Sequence, residues 1–451
     1  MAASAAPIRP VPGPRGLPLL GNLAVFGRNP LGFMVRLRED FGDFVTWSLG
    51  PRRCVLLSHP QHIAELLSAV GHHFEPLDIG WAVHQVAGDS VGLTQGEQWR
   101  RKRAMVQPVV RPRMVQLYAE TMTDCAIAHA DRWRDGDRID VQEEMTSITQ
   151  RIVARTLFGD APAAHDRALR EAMAAVQREI AAEIRGGIGL FLPGWVRTPS
   201  RRRLLAALNV IDSVLYRLIR ARRARPTGGH HRDVLDVLLS QRNAQGRGAS
   251  DKDVRDEALA LWIGGHESTA TTLTWTLLAL SGAPQARSQL AEELRQVLRG
   301  RPPTYADYDR LSYTRQVVQE GLRLYPPVWA LCMTTQHDTT LGGIPLPART
   351  LVWCSQWAVH RDPRWFPDPH AFRPERFAAD APDPVTDHAW FPFGSGPRAC
   401  LGARFAQVEA VLVLAVLAQR FHLDVDPGQV TPQTGAFLQP SGPLHATVRA
   451  N

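Results

Sequence analysis

The chain has 451 residues, 44% of them apolar, enough for one large core, which excludes a disordered or fibrous protein. Cysteine is sparse, an odd five without paired spacing (Cys54, Cys125, Cys332, Cys354, Cys400), which argues against a disulfide framework and for a reduced, cytoplasmic setting. The formal charge of +8 is almost wholly arginine, Lys102 and Lys252 being the only lysines, and its short runs at 100–103, 201–203 and 220–225 read as solvated helix faces. A docking face for an acidic protein is the next reading, and no nucleic-acid partner is expected.

In chain order, Met1 to Ile8 is too short and too weakly apolar for a signal peptide or a membrane span. With the proline-rich stretch that follows, it makes an N-terminal segment over 1–18, and 19–451 reads as a single domain. Alternating and apolar runs at 43–49 and 54–58 flank Gly50 and Pro51 and predict a β-hairpin. Helical spacing follows at 61–70, 97–106, 112–134, 141–158, 165–185, 199–224, 233–241, 251–281, 284–299, 311–325 and 401–420, with strand candidates at 328–335 and 349–355. The fold class is mainly α with a small β portion. No stretch offers ~20 uninterrupted apolar residues, so no membrane span is expected.

The longest helix, 251–281, has Ser250 as its cap, Asp253 at the capping-box position and Pro284 beyond its end. At ~1.5 Å per residue it reaches about 46 Å, long enough to run through a core. The most informative loop is Phe391 to Gly402. Gly394, Gly396 and Pro397 form a tight turn before an apolar helix, which places Cys400 at the N-terminus of that helix. There free N–H groups and the helix dipole stabilise a thiolate. Gly402 leaves room for a flat group, and Arg398 supplies a cation.

The run from Phe393 to Gly402, F-G-x-G-x-R-x-C-x-G, resembles the haem-binding loop of the cytochrome P450 superfamily. Trp99-Arg-Arg-Lys-Arg103, Gly264-Gly-His-Glu-Ser-Thr269, Glu320-Gly-Leu-Arg323 and Pro374-Glu-Arg-Phe377 are similar to further motifs of that family, in its order. The resemblance implies the family's fold, with haem b (iron protoporphyrin IX) between the long central helix and the cysteine loop with the last helix. It makes Cys400 the axial ligand of the iron, and Trp99, Arg103 and Arg398 the partners of the propionates. Phe393, Gly402 and the Gly264–Gly265 backbone would also lie against the cofactor, local unwinding at the two glycines freeing a carbonyl. Glu267 and Ser268, with Thr269 beside them, would deliver protons to bound oxygen, and His266 would face away from iron. Glu320, Arg323 and Arg376 would form a buried structural set behind the cysteine loop.

Two positions depart from the family. Ser268 stands where threonine is usual, so the hydroxyl is kept without the methyl that restrains its rotamer. Met333 stands near where a basic residue commonly meets a propionate. The expected pocket segments are 76–95, 180–197, 259–266, 328–333 and 434–441. Their apolar members, Trp262, Ile263, Trp329, Ala330, Leu331, Phe437 and Leu438 with the 188–195 stretch, suit a lipophilic terpene or polyketide. The implied activity is hydroxylation with O2, by a monomer drawing electrons from a separate ferredoxin and ferredoxin reductase. Epoxidation, oxidative coupling, peroxide-driven oxidation and a non-catalytic haem sensor stand as alternatives.

Overall fold

Apolar residues recurring every three or four positions make helices of most of the chain, with prolines and glycines at their ends. The computed structural model describes residues 11–78, 80–159, 167–186, 193–224, 233–242, 246–381, 385–426, 428 and 430–451; the expected pocket stretch 188–192 and Arg225 lie outside these. The helices are α1 (Leu23–Arg28), α2 (Pro30–Phe41), α3 (Pro60–Ser68), α4 (Trp81–Ala87), α5 (Gly96–Val106), α6 (Pro112–Ala130), α7 (Val141–Phe158) and α8 (Arg167–Gly186). Then come α9 (Pro199–Arg223), α10 (Val234–Ser240), α11 (Asp251–Ser281), α12 (Pro284–Leu298), α13 (Ser312–Leu324), α14 (Gln356–Val359) and α15 (Ala403–Arg420). Helix α11 has the expected bounds, whereas α1, α2 and α4 were not anticipated. Helix α2 starts from Asn29, whose side chain accepts the Gly32 N–H, with Pro30 at the first helical position.

The chain divides into two compact units. The first comprises Met1–Leu77, Leu322–Ala371 and Ala379–Cys400. It holds a five-stranded sheet in the order β1-β2-β8-β5-β3, from β1 (Phe44–Leu49), β2 (Arg52–Leu57), β3 (Phe74–Pro76), β5 (Leu331–Thr335) and β8 (Leu351–Cys354). The expected hairpin is β1–β2, with Phe44 opposite Leu57 and Leu49 opposite Arg52. Side chains alternate across a strand, so Phe44, Val55 and Leu57 enter one core while Val45, Trp47, Cys54 and Leu56 enter the other. The second core is aromatic. Trp353 lies 6.0 Å from Trp47, 5.8 Å from Phe26 and 6.3 Å from Trp329, ring centroid to centroid.

The second unit comprises Asp78–Gly321, Phe372–Ala378 and Leu401–Asn451. Its centre is α11, which packs along α7 and is buried on every side from Thr269 to Leu277. The threonines on this stretch are tolerated where their hydroxyls turn back onto helix carbonyls, as Thr274 does onto Ala270 at 2.8 Å. Gly321 lies against α11; a Cβ there would stand 2.1 Å from the Thr276 hydroxyl. Two small sheets complete the unit: β4 (Arg138–Asp140), β12 (His445–Ala450) and β9 (Phe421–Val425) in that order, and β10 (Pro432–Gln433) with β11 (Gln439–Pro440). Among the described residues no helix is long and apolar enough to cross a membrane.

Three expectations are corrected here. Helix α11 runs without a break through Gly264 and Gly265, and the carbonyls of residues 264 and 265 also accept from the Ser268 and Thr269 hydroxyls, so neither is freed by unwinding. Lys102 is not on a solvated face: it is buried, 2.6 Å from Asp253 and 3.7 Å from Glu257, so its charge is matched inside the unit. Arg201 is likewise buried and is paired with Glu183 at 2.9 Å.

Candidate active site

In the first unit, the loop of Cys400 is built from two left-handed glycines. Gly394 has φ 67° and Gly396 φ 70°, and a Cβ on Gly396 would stand 2.3 Å from the Leu67 carbonyl oxygen, so only glycine fits. The Cys400 N–H then closes the loop onto the Phe393 carbonyl at 2.8 Å. The last helix begins at Ala403 rather than at residue 401 as expected, with Gly402 as its cap, so Cys400 sits two residues ahead of that cap. Cys400 is exposed, whereas Cys54, Cys125 and Cys354 are buried and Cys332 is nearly so. Burial pushes all four of those thiols up, Cys54 and Cys354 to about 12, so none of them is disposed to be a thiolate.

Behind the loop stands a network the sequence did not reveal. The Arg323 guanidinium is buried and donates to the carbonyls of His360 (2.7 Å), Pro369 (2.8 Å) and Ala371 (3.1 Å). The buried His360 ring accepts the Phe391 N–H at its Nε2 (3.1 Å), so its proton is on Nδ1, directed at the Arg323 carbonyl at 3.3 Å. Burial and the adjacent arginines hold it well below its usual range, hence neutral. Arg323 thereby reaches the start of the cysteine loop through His360. Arg398 meets Glu75 on β3 at 3.1 Å, a carboxylate partner that no spacing announced.

In the second unit, the buried Glu320 accepts from Arg376 Nε at 3.3 Å, as expected, and also from the Arg373 N–H at 2.9 Å. Trp99 and Arg103 are half-buried on α5. On α11, Glu267 accepts from the Gln439 amide at 2.7 Å and from the Gln177 amide at 3.4 Å, and burial raises its carboxyl to about 7. The Ser268 hydroxyl donates to the Gly264 carbonyl at 2.8 Å, and no hydrogen bond joins it to Glu267 among the described residues. Thr269 turns back to Gly265 at 3.3 Å and approaches the fully buried Glu409 of α15, too loosely for a well-formed hydrogen bond. Burial pushes that carboxyl well above its usual range, and nothing in the sequence marked it out.

The two α11 glycines differ. A Cβ on Gly264 would meet nothing within 4 Å, whereas one on Gly265 would stand 3.3 Å from Val153 of α7, so Gly265 serves helix packing. Several expected pocket residues are core instead. Trp262 is buried against Phe158 with ring centroids 5.5 Å apart, and the buried Leu438 gives its carbonyl to the Trp275 indole N–H at 2.7 Å. Trp329 and Ala330 pack on the aromatic core of the first unit, because large rings gain most from one another. Trp195 is 79% exposed. Ile263, Leu331 and Phe437 remain partly exposed, and Leu331 lies beside Gly394 of the cysteine loop.

These residues fit a thiolate-ligated haem iron. An exposed sulfur rests on a loop built by Gly394 and Gly396. The cytochrome P450 family model matches residues 11–448. The chain is 34% identical to cyclooctat-9-en-7-ol 5-monooxygenase of Streptomyces melanosporofaciens, over 96% of this chain and 93% of that one. It is also 34% identical to cyclooctatin synthase of the same organism, over 96% and 94%. With pentalenene oxygenase of Streptomyces avermitilis it shares 31% identity, over 92% and 91%.

Proposed function

This chain belongs to the cytochrome P450 family and is a monooxygenase, and from that premise we propose that it hydroxylates a terpene skeleton, with Cys400 ligating the iron of haem b. When bound, a haem iron held by the electron-rich Cys400 thiolate would supply O2 activation. The chain's residues do the rest. Gly394 and Gly396 present Cys400, and His360, braced by Arg323, anchors the start of its loop. Arg103 and Arg398, with Trp99, hold the cofactor's carboxylates, arginine forks suiting that geometry. Glu267 holds the proton to be delivered, and Ser268 passes it on when its hydroxyl leaves the Gly264 carbonyl. Ile263 and Phe437 of the second unit supply apolar, partly exposed surface for the substrate, excluding water.

The observation that carries this reading is the exposed Cys400 on its glycine loop, set against four thiols that burial disfavours as thiolates. Relatives named for oxidising cyclooctat-9-en-7-ol and pentalenene support a cyclic terpene substrate. Electrons come from a separate ferredoxin and its reductase, for which the exposed Arg100 and Arg101 offer a cationic face. In a cytoplasmic setting the enzyme would act as a monomer. The test is the reduced, carbon-monoxide-bound spectrum: a red-shifted Soret band is expected, lost in Cys400→Ala, and a band at the ordinary haem position would overturn the assignment. Spin-state titration with cyclic diterpenes and sesquiterpenes then identifies the substrate.

A further inference from the structure

Among the described residues Glu267 has no counter-cation. Burial accounts for its raised titration, and the two groups that face it, Gln177 of α8 and Gln439 of β11, are uncharged amides. Gln439 donates to Oε1 at 2.7 Å and Gln177 to Oε2 at 3.4 Å, so each oxygen has one N–H. The three side chains come from segments 90 and 172 residues apart in sequence.

His266 decides which way the Gln177 amide faces. Its Nδ1 lies 2.6 Å from the Trp262 carbonyl, which can only accept, so Nδ1 carries the proton. The ring is fully buried and held neutral, burial lowering it to about 4, and Nε2 is therefore an acceptor. The Gln177 nitrogen meets that Nε2, so its NH2 end must face the pair, one hydrogen on His266 and the other toward Glu267. The shorter bond at Oε1 leaves Oε2 the better place for a proton.

We propose that Gln177 and Gln439 are positioning residues for the reaction, holding the Glu267 carboxyl by one N–H on each oxygen with His266 as the template for Gln177, a role that rests on the reading of Glu267 as a proton relay. Donors on both oxygens favour the carboxylate and oppose burial, so removing one drives the acid toward its protonated form.

The test uses the holoenzyme and follows the infrared carbonyl band of the protonated acid against pH, assigned by its loss in Glu267→Gln. Gln177→Met and Gln439→Met keep the length of the side chain and remove its N–H donors. Each should move the band's midpoint upward by roughly one pH unit, and Gln439→Met, which loses the shorter bond, by the larger step. Peroxide released per electron pair should rise several-fold with the substrate's KM unchanged. His266→Leu should reproduce the Gln177→Met shift in part. Met variants that lower thermal stability yet leave the midpoint and the peroxide yield at wild-type values would overturn the positioning role while Glu267→Gln still uncouples. If Glu267→Gln itself leaves coupling intact, the relay reading fails first and the proposal with it.

Discussion

The surroundings of Cys400 and those of Glu267 use burial to opposite ends. Around Cys400 two strongly polar groups behind the loop are given rigid partners: Arg323 donates to three carbonyls, and His360 uses both ring nitrogens. Hydrogen-bonded networks of this kind fix one geometry, which the proposed ligand role of Cys400 requires. Around Glu267 the half-buried acid meets neutral donors and, among the described residues, no cation, so both of its protonation states lie within reach near neutral pH. One region is built to hold still, the other to let a proton leave.

The comparison breaks most visibly at Arg323. Arg323→Ala strands three carbonyls and loosens His360, so a loss of about 3–5 kcal/mol in unfolding free energy is expected, read by denaturant titration together with failure to incorporate haem. A variant of near wild-type stability would show that the network behind the loop is dispensable.

Ser268→Ala should act on the other region alone. Among the described residues its hydroxyl bonds only to a helix carbonyl, so stability changes little, whereas product formed per electron pair supplied should fall several-fold as peroxide is released. Unchanged coupling would remove Ser268 from proton delivery.

Glu267→Gln sharpens the contrast through pH. Burial raises the folded-state titration to about 7, so the folded protein binds this proton more tightly than the unfolded chain does. The resulting contribution to stability is fully present below the unfolded value of ~4.5 and is lost as pH rises to about 7. The glutamine variant should match wild type near pH 4.5 and be more stable by about 2–3 kcal/mol at pH 8, measured by thermal unfolding. Equal stability at both pH values would show that the carboxyl is not held in a raised range.

The smallest effect is expected at Cys332, on β5 among the aromatic core residues. Cys332→Ala should leave the carbon-monoxide spectrum unchanged and cost about 1 kcal/mol of packing. A lost Soret shift there would move the ligand assignment away from Cys400.

Much was legible in the chain itself wherever the physics is local. Ser250, Asp253 and the apolar spacing after them set the bounds of α11, because capping and periodicity act within a few residues. Gly394 and Gly396 announced a turn because left-handed backbone leaves few residue choices. Tertiary structure alone decided what meets across long separations. It put Glu75 against Arg398, His360 between Arg323 and the cysteine loop, and Gln177 and Gln439 on either oxygen of Glu267. It also took Lys102 and Trp262 out of the roles their neighbours suggested, since a buried charge follows its partner and a large ring follows the best packing. Such pairings carry no spacing signal: each depends on which segment the folded chain brings within about 3 Å, and neither composition nor period encodes that distance.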